Sequence, residues 1–230
     1  MPWLSPFRSE PVAKYRLAQE HTAAVVWTTD AAPQLTELEK VAEELARHSQ
    51  ARETLRVVAG AGTVWVWLAG ADAVGLRTAS SVLDPGAGTQ VAIGSTGYGV
   101  DGFRVSHLDA LSTQRTMARL DTDHAVGTFA DVEGVLLLTA DPERADRFVA
   151  TTLGGLQRAP AVLRETVRLY LREQSNASRV AELQFTHRNT ILRRIKRAES
   201  LLPRPLGDNS LNIAMALEIS YWRGDGFVRS

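Results

Sequence analysis

The chain has 230 residues, 44% hydrophobic and 23% charged, the balance of a globular protein of one large or two ordinary domains. It has no cysteine, which excludes disulfides and thiolate metal sites, and 26 basic side chains offset 26 acidic ones. That zero net charge hides an asymmetry: residues 159–230 carry 12 Lys/Arg against 7 Asp/Glu, so the rest of the chain is acidic. Segments of opposite sign point to two jobs, one of them meeting a polyanion.

The N-terminal MPWLSPFRSEP lacks the basic region and apolar run of a secretory signal, so the expected location is cytoplasmic. Residues 11–21 read as a lead-in helix. AAVVWTT follows as a strand, then Pro33 and the helical QLTELEKVAEELARHSQ, whose Leu35, Leu38, Val41, Ala42 and Leu45 keep three/four spacing. LRVVA and TVWVWLA are rich in β-branched and aromatic residues, with Gly60 and Gly62 between them as a hairpin needs. This stretch is too short and too interrupted to span a bilayer, and no membrane partner is expected. ADAVGLRTASSVLD reads as helix, TQVAIGS as strand and VDGFRVSHLDALSTQRTMARL as helix. AVGTF and VEGVLLLT read as two more strands.

The order is β-α-β-β-α-β with extra pieces, an α+β pattern expected to give one sheet with helices on a single face. DPERADRFVATTLGGL reads as a connecting helix leading to Gly154–Gly155 and Pro160, the expected linker. From residue 159 a second, all-helical domain is expected.

Its most informative piece is NASRVAELQFTHRNTILRRIKRAESLL. From His187 to Ala198 it holds five basic side chains and no acid. Thr186 is expected to cap a helix starting at His187. At about 100° per residue, Ile191, Leu192, Ile195, Ala198 and Leu202 share one side, while Asn189, Thr190, Arg193, Lys196 and Arg197 point away. Arg194 falls on the flank, and Arg188 nearer the apolar side. A shorter helix capped by Asn176 precedes it, with Val180, Ala181 and Leu183 apolar and Phe185 expected to plug the corner. Two short helices, a tight turn and a basic second helix form a helix-turn-helix pattern. The major groove of B-DNA admits one such helix; arginine forks onto guanine, and other cations neutralise phosphates. Asn176 and Ser178, at the start of the first helix, are placed to meet a phosphate. A basic face is also, in many proteins, nothing more than solvated surface.

LYLREQSNASRVAELQFTHRNTILRRIKRAESLL resembles the C-terminal helix-turn-helix of the PucR/CdaR family of bacterial transcription regulators, and SLNIAMALEISYW resembles that family's closing helix. The resemblance implies sequence-specific binding of double-stranded DNA, with Arg188, Asn189, Thr190, Arg193 and Arg194 facing the duplex. His187 and Arg197 complete the expected contact set. Residues 22–140 resemble the GGDEF-like domain that precedes this module in the family, which implies a nucleotide-cyclase-like, ferredoxin-like fold. A working cyclase carries Gly-Gly-Asp/Glu-Glu-Phe at its hairpin, where carboxylates hold Mg²⁺; here the hairpin reads GAGTVWVW. Asp30 is a lone remaining acid. No enzyme activity and no cofactor are therefore expected, and the domain is left to assembly or signalling. An alternative is that it senses a small molecule or nucleotide. Family and groove geometry together imply a homodimer. Many members of the family carry a further N-terminal sensor, so a fragment of a longer regulator is one reading of this chain.

Two other features stay open on sequence alone. GSTGYG, with Gly94, Gly97 and Gly99, is either a phosphate cradle or a turn after a strand, and it lacks the Gly-Lys-Ser/Thr ending of a P-loop. Trp65 and Trp67 share one face of a strand, as core against a helix or as a ligand surface.

Overall fold

The computed structural model describes residues 15–30, 33–80 and 88–223, with the side chain of Ala79 left aside. They form two compact units. One holds the described residues up to Arg115 together with Ala125–Ala130. The other holds Thr116–His124 and the described residues from Asp131 onward.

The chain runs β1 (Glu20–Thr28), α1 (Leu35–His48), β2 (Glu53–Gly60), β3 (Thr63–Ala69), α2 (Ala73–Ser80), β4 (Thr89–Tyr98), α3 (Gly99–Leu120) and β5 (Val126–Thr128), all in the first unit apart from the end of α3 from Thr116. The five strands lie in the order β2-β3-β1-β4-β5. All pairs are antiparallel except β4 with β5. The β-α-β-β-α-β order read from the sequence is present, and β2 and β3 form the expected hairpin around Ala61 and Gly62.

The helices, however, cover both faces of the sheet. On one, Ala24, Val26, Val64, Val66 and Leu68 pack against Leu38, Val41 and Leu45 of α1 and Leu76 of α2. On the other, Trp67 stacks on Phe103 of α3 at 4.5 Å and 8° between planes, and its Nε1 donates to the Phe103 carbonyl at 3.1 Å. Trp65 meets His107 edge-on at 4.5 Å. A central strand covered twice reads as an unbroken buried run, and residues 21–27 of β1 are all buried. This double covering is why a single-face expectation fails.

GSTGYG is neither a cradle nor a turn. It is the end of β4 and the first residue of α3. A Cβ on Gly94 would sit 2.0 Å from the Ser106 carbonyl oxygen, and one on Gly102 would sit 2.2 Å from Gly97. The glycines let α3 lie directly on the strand. Ser106 Oγ then accepts from the Ala23 N–H at 2.6 Å.

Two further expectations change. The lead-in helix is absent over residues 15–19, of which 17–19 bend, and β1 begins at Glu20; residues 11–14 of that expectation lie outside the described residues. VEGVLLLT is helical, as part of α4 (Phe129–Leu138). Its valines and leucines suggest a strand, but Val132 and Val135 are buried at helical spacing.

The second unit continues with α5 (Pro142–Leu153), α6 (Ala161–Arg172), α7 (Ala177–Leu183), α8 (Arg188–Glu199) and α9 (Ser210–Trp222). The stretch read as a linker, Gly154–Arg158, is a 3₁₀ helix whose Leu156 is fully buried. Its Gly155 N–H donates to the Leu201 carbonyl at 3.1 Å. Among the described residues no helix is long and apolar enough to cross a membrane.

Candidate nucleic-acid interface

Three helices position the basic face. Val180 and Ala181 of α7 meet Ile191, Ile195 and Ala198 of α8, and Leu163 and Val167 of α6 and Ile213 and Leu217 of α9 complete the same core. Ala181 is small, as two crossing helices require at close approach. Asn176 caps α7, its Oδ1 accepting from the Arg179 N–H at 3.1 Å.

The apolar seam is narrower than the helical wheel suggests: Ile191, Ile195 and Ala198 are buried, but Leu192 is 38% exposed. Opposite the seam, Arg188, Asn189, Arg193, Lys196 and Arg197 are exposed and Thr190 is half-buried. Arg188, placed near the apolar side by the wheel, thus points to water from the first turn. Among the described residues the side chains of Arg188, Arg193, Lys196 and Arg197 make no ion pair or hydrogen bond. Some arginines elsewhere in the unit are paired, Arg179 with Glu182 at 2.9 Å and Arg172 with Glu218 at 3.7 Å, while Arg144, Arg158 and Arg204 are exposed and, among the described residues, unpaired like those of α8.

Arg194 is different. Its Nη1 donates to Gln184 Oε1 at 2.9 Å and lies 3.4 Å from Thr166 Oγ1, and Thr166 Oγ1 is itself 2.9 Å from Gln184 Oε1. Thr166 belongs to α6 and is fully buried, and Gln184 ends α7. Arg194 therefore ties three helices together, where the resemblance implied a contact with DNA. Ser178 is exposed on the first turn of α7, and Asn176, also exposed, gives its side-chain oxygen to the cap. His187, exposed, is the residue before α8. The cap expected from Thr186 is not made, because α8 starts one residue later than expected and has no side-chain cap bond. Phe185 does not plug the corner: it is 98% exposed.

Behind the face, Arg168 joins α6 to α9. It is 6% exposed, forks onto Glu165 at 2.7 and 2.8 Å, reaches Glu218 at 3.1 Å, and lies 3.8 Å over the Tyr221 ring. Burial alone would lower its pKa, but the bond to Glu165 and the charges of Glu218 and Glu165 outweigh it and hold the guanidinium above its ordinary value. Among the described residues no three His, Asp or Glu side chains are grouped to hold a metal.

Residues 163–219 match the PucR C-terminal helix-turn-helix domain, and residues 12–116 match a GGDEF-like domain. The sequence matches no curated protein. The chain is similar to the crystal structure of a regulator of polyketide synthase expression from Bifidobacterium adolescentis, with 15% identity, 91% of this chain and 83% of that chain covered, and a TM-score of 0.40.

Proposed function

From a chain that carries a GGDEF-like domain, with its cyclase-like α+β fold, followed by a PucR C-terminal helix-turn-helix domain, we propose a sequence-specific, DNA-binding transcriptional regulator that works as a homodimer. One observation carries the reading: four cations on α8, Arg188, Arg193, Lys196 and Arg197, stand exposed and unpaired among the described residues, opposite the seam that seats the helix. A cation without a protein partner keeps its full charge for phosphate or a base edge. In this reading α8 enters the major groove, Arg188, Asn189, Thr190 and Arg193 meet base edges, and Lys196 and Arg197 meet phosphates. His187 borders the same surface. One short helix reads a few base pairs, so a two-fold pair reading two half-sites supplies the specificity.

The first unit serves assembly or signalling. The turn between β2 and β3 offers Ala61 and Gly62, with no carboxylate to hold Mg²⁺ against a triphosphate. Incubation with GTP and Mg²⁺ tests this, and turnover would refute it.

Selection of bound sites from random duplexes tests the main proposal. A palindromic motif is expected, with half-sites about one helical turn apart. The affinity should fall with salt, with a log–log slope of about −2 per protomer from the two phosphate-bound cations, Lys196 and Arg197. No enriched motif, or binding indifferent to salt, would overturn it.

A further inference from the structure

Four helices end in the same way. After α1, α3, α6 and α7 a residue takes a left-handed conformation and the chain turns back on the helix; after α6 the next residue, Ser175, is left-handed as well, with φ of 64°. Gln50, Asp121, Gln174 and Phe185 hold these positions, with φ of 56°, 50°, 52° and 48°. In each, that residue's N–H bonds to the carbonyl three back and the next N–H to the carbonyl five back. For α7 these are Phe185 to Glu182 at 3.2 Å and Thr186 to Ala181 at 2.9 Å. The position favours glycine, since a Cβ is strained there, and asparagine is the next best tolerated. Among the described residues, left-handed positions without glycine carry a polar side chain in four cases of five. Phe185 is the exception, an aromatic ring in a strained backbone position and 98% exposed, so it adds no burial to offset that strain.

The surroundings of the ring select what covers it. Phe185 stands two residues before His187, where the exposed run of His187, Arg188 and Asn189 begins. That surface carries unpaired cations, so it repels a second copy of itself and attracts a polyanion. The apolar group that a duplex displays in its major groove is the 5-methyl of thymine. We propose that Phe185 is a specificity residue of the DNA interface, its ring covering one thymine methyl in each half-site. This rests on the DNA-binding reading above and extends it from the cationic face to the turn.

The test uses the full chain and the duplex enriched from random DNA, with each thymine replaced in turn by deoxyuridine, which lacks only the methyl. At one position per half-site the wild-type protein should lose on the order of fourfold in affinity, the worth of one buried methyl group. Phe185→Asn should bind the unmodified duplex more weakly and be indifferent to deoxyuridine at that position. The same variant should melt at or above the wild-type temperature, because asparagine accepts the left-handed backbone and no packing is lost. A stabilised protein that reads DNA less well separates a recognition role from a structural one.

The inference is overturned if Phe185→Asn binds as tightly as wild type, if both proteins respond alike to deoxyuridine everywhere, or if the variant changes only self-association. A wild-type chain that enriches no duplex sinks the DNA-binding reading itself, a result distinct from those three.

Discussion

Helices α3 and α8 lie against their own units in opposite ways. Along α3 a serine, a glycine and an aromatic residue turn inward and find partners. Ser106 receives the Ala23 N–H, Gly102 abuts Gly97, and Phe103 is roofed by Trp67. Along α8 only three residues are buried, and the cations opposite them have no partner among the described residues. Residue type alone does not tell site from scaffold. A glycine-rich GSTGYG suggests a ligand cradle, yet helix backbone already fills it. A row of arginines suggests mere solvated surface, yet only Arg194 of that row is tied inward.

The contrast can be broken most severely at the glycine seam. Gly102→Ala should destabilise the first unit by about 3 kcal/mol or more, since the new Cβ meets Gly97 backbone that cannot move aside. Helix propensity alone would give a gain of about 1 kcal/mol, so the sign of the change in a denaturant titration decides.

Next is the inner arginine. Arg168→Ala leaves Glu165 and Glu218 facing each other, and about 2–3 kcal/mol of the second unit's stability should go, less than for a fully buried pair because both carboxylates are partly open to water.

Arg193 and Arg194 then sharpen the difference between outward and inward charge. Arg193→Ala should weaken binding by about 1–3 kcal/mol if it forks onto a base. If it meets phosphate alone, the loss should be equal on all sequences and the salt slope should shrink by about one unit. Arg194→Ala should instead cost about 1 kcal/mol of fold stability, through the lost bond to Gln184, with the salt slope unchanged. Melting curves beside binding isotherms separate the two.

The smallest effect is at His107. Burial against Trp65 and Trp67 lowers its pKa, and its Nδ1 is buried without a partner among the described residues. The fold therefore prefers the neutral ring. As pH falls below the unfolded value of about 6.5, the unfolded chain takes up a proton that the folded one resists, and the first unit loses stability. His107→Phe should flatten that decline in melts between about pH 5 and 7.5.

Much of this was legible in the sequence. The hairpin at Gly60–Gly62, the long α3, the Asn176 cap and the α7–α8 pair follow from period and punctuation. What escaped is what depends on partners distant in sequence. VEGVLLLT has no clean period, so its β-branched residues suggested a strand. The double covering of β1 could not be seen without knowing that α3 crosses back over it. Thr166 stands 28 residues before Arg194, and nothing local marks the two as neighbours. Phe185 was misplaced for a different reason: a left-handed residue after a helix is signalled by glycine, and here the signal was missing.

The buried guanidinium of Arg168, with its partly covered carboxylate partners, has a practical corollary. Added electrolyte shields charges that face water far more than charges shut inside protein. Raising ionic strength should therefore loosen the hold of α8 on a duplex while the frame that carries α8 stays intact. Grip and chassis answer to different variables, and a rinse in concentrated salt should give back a clean, still-folded reader.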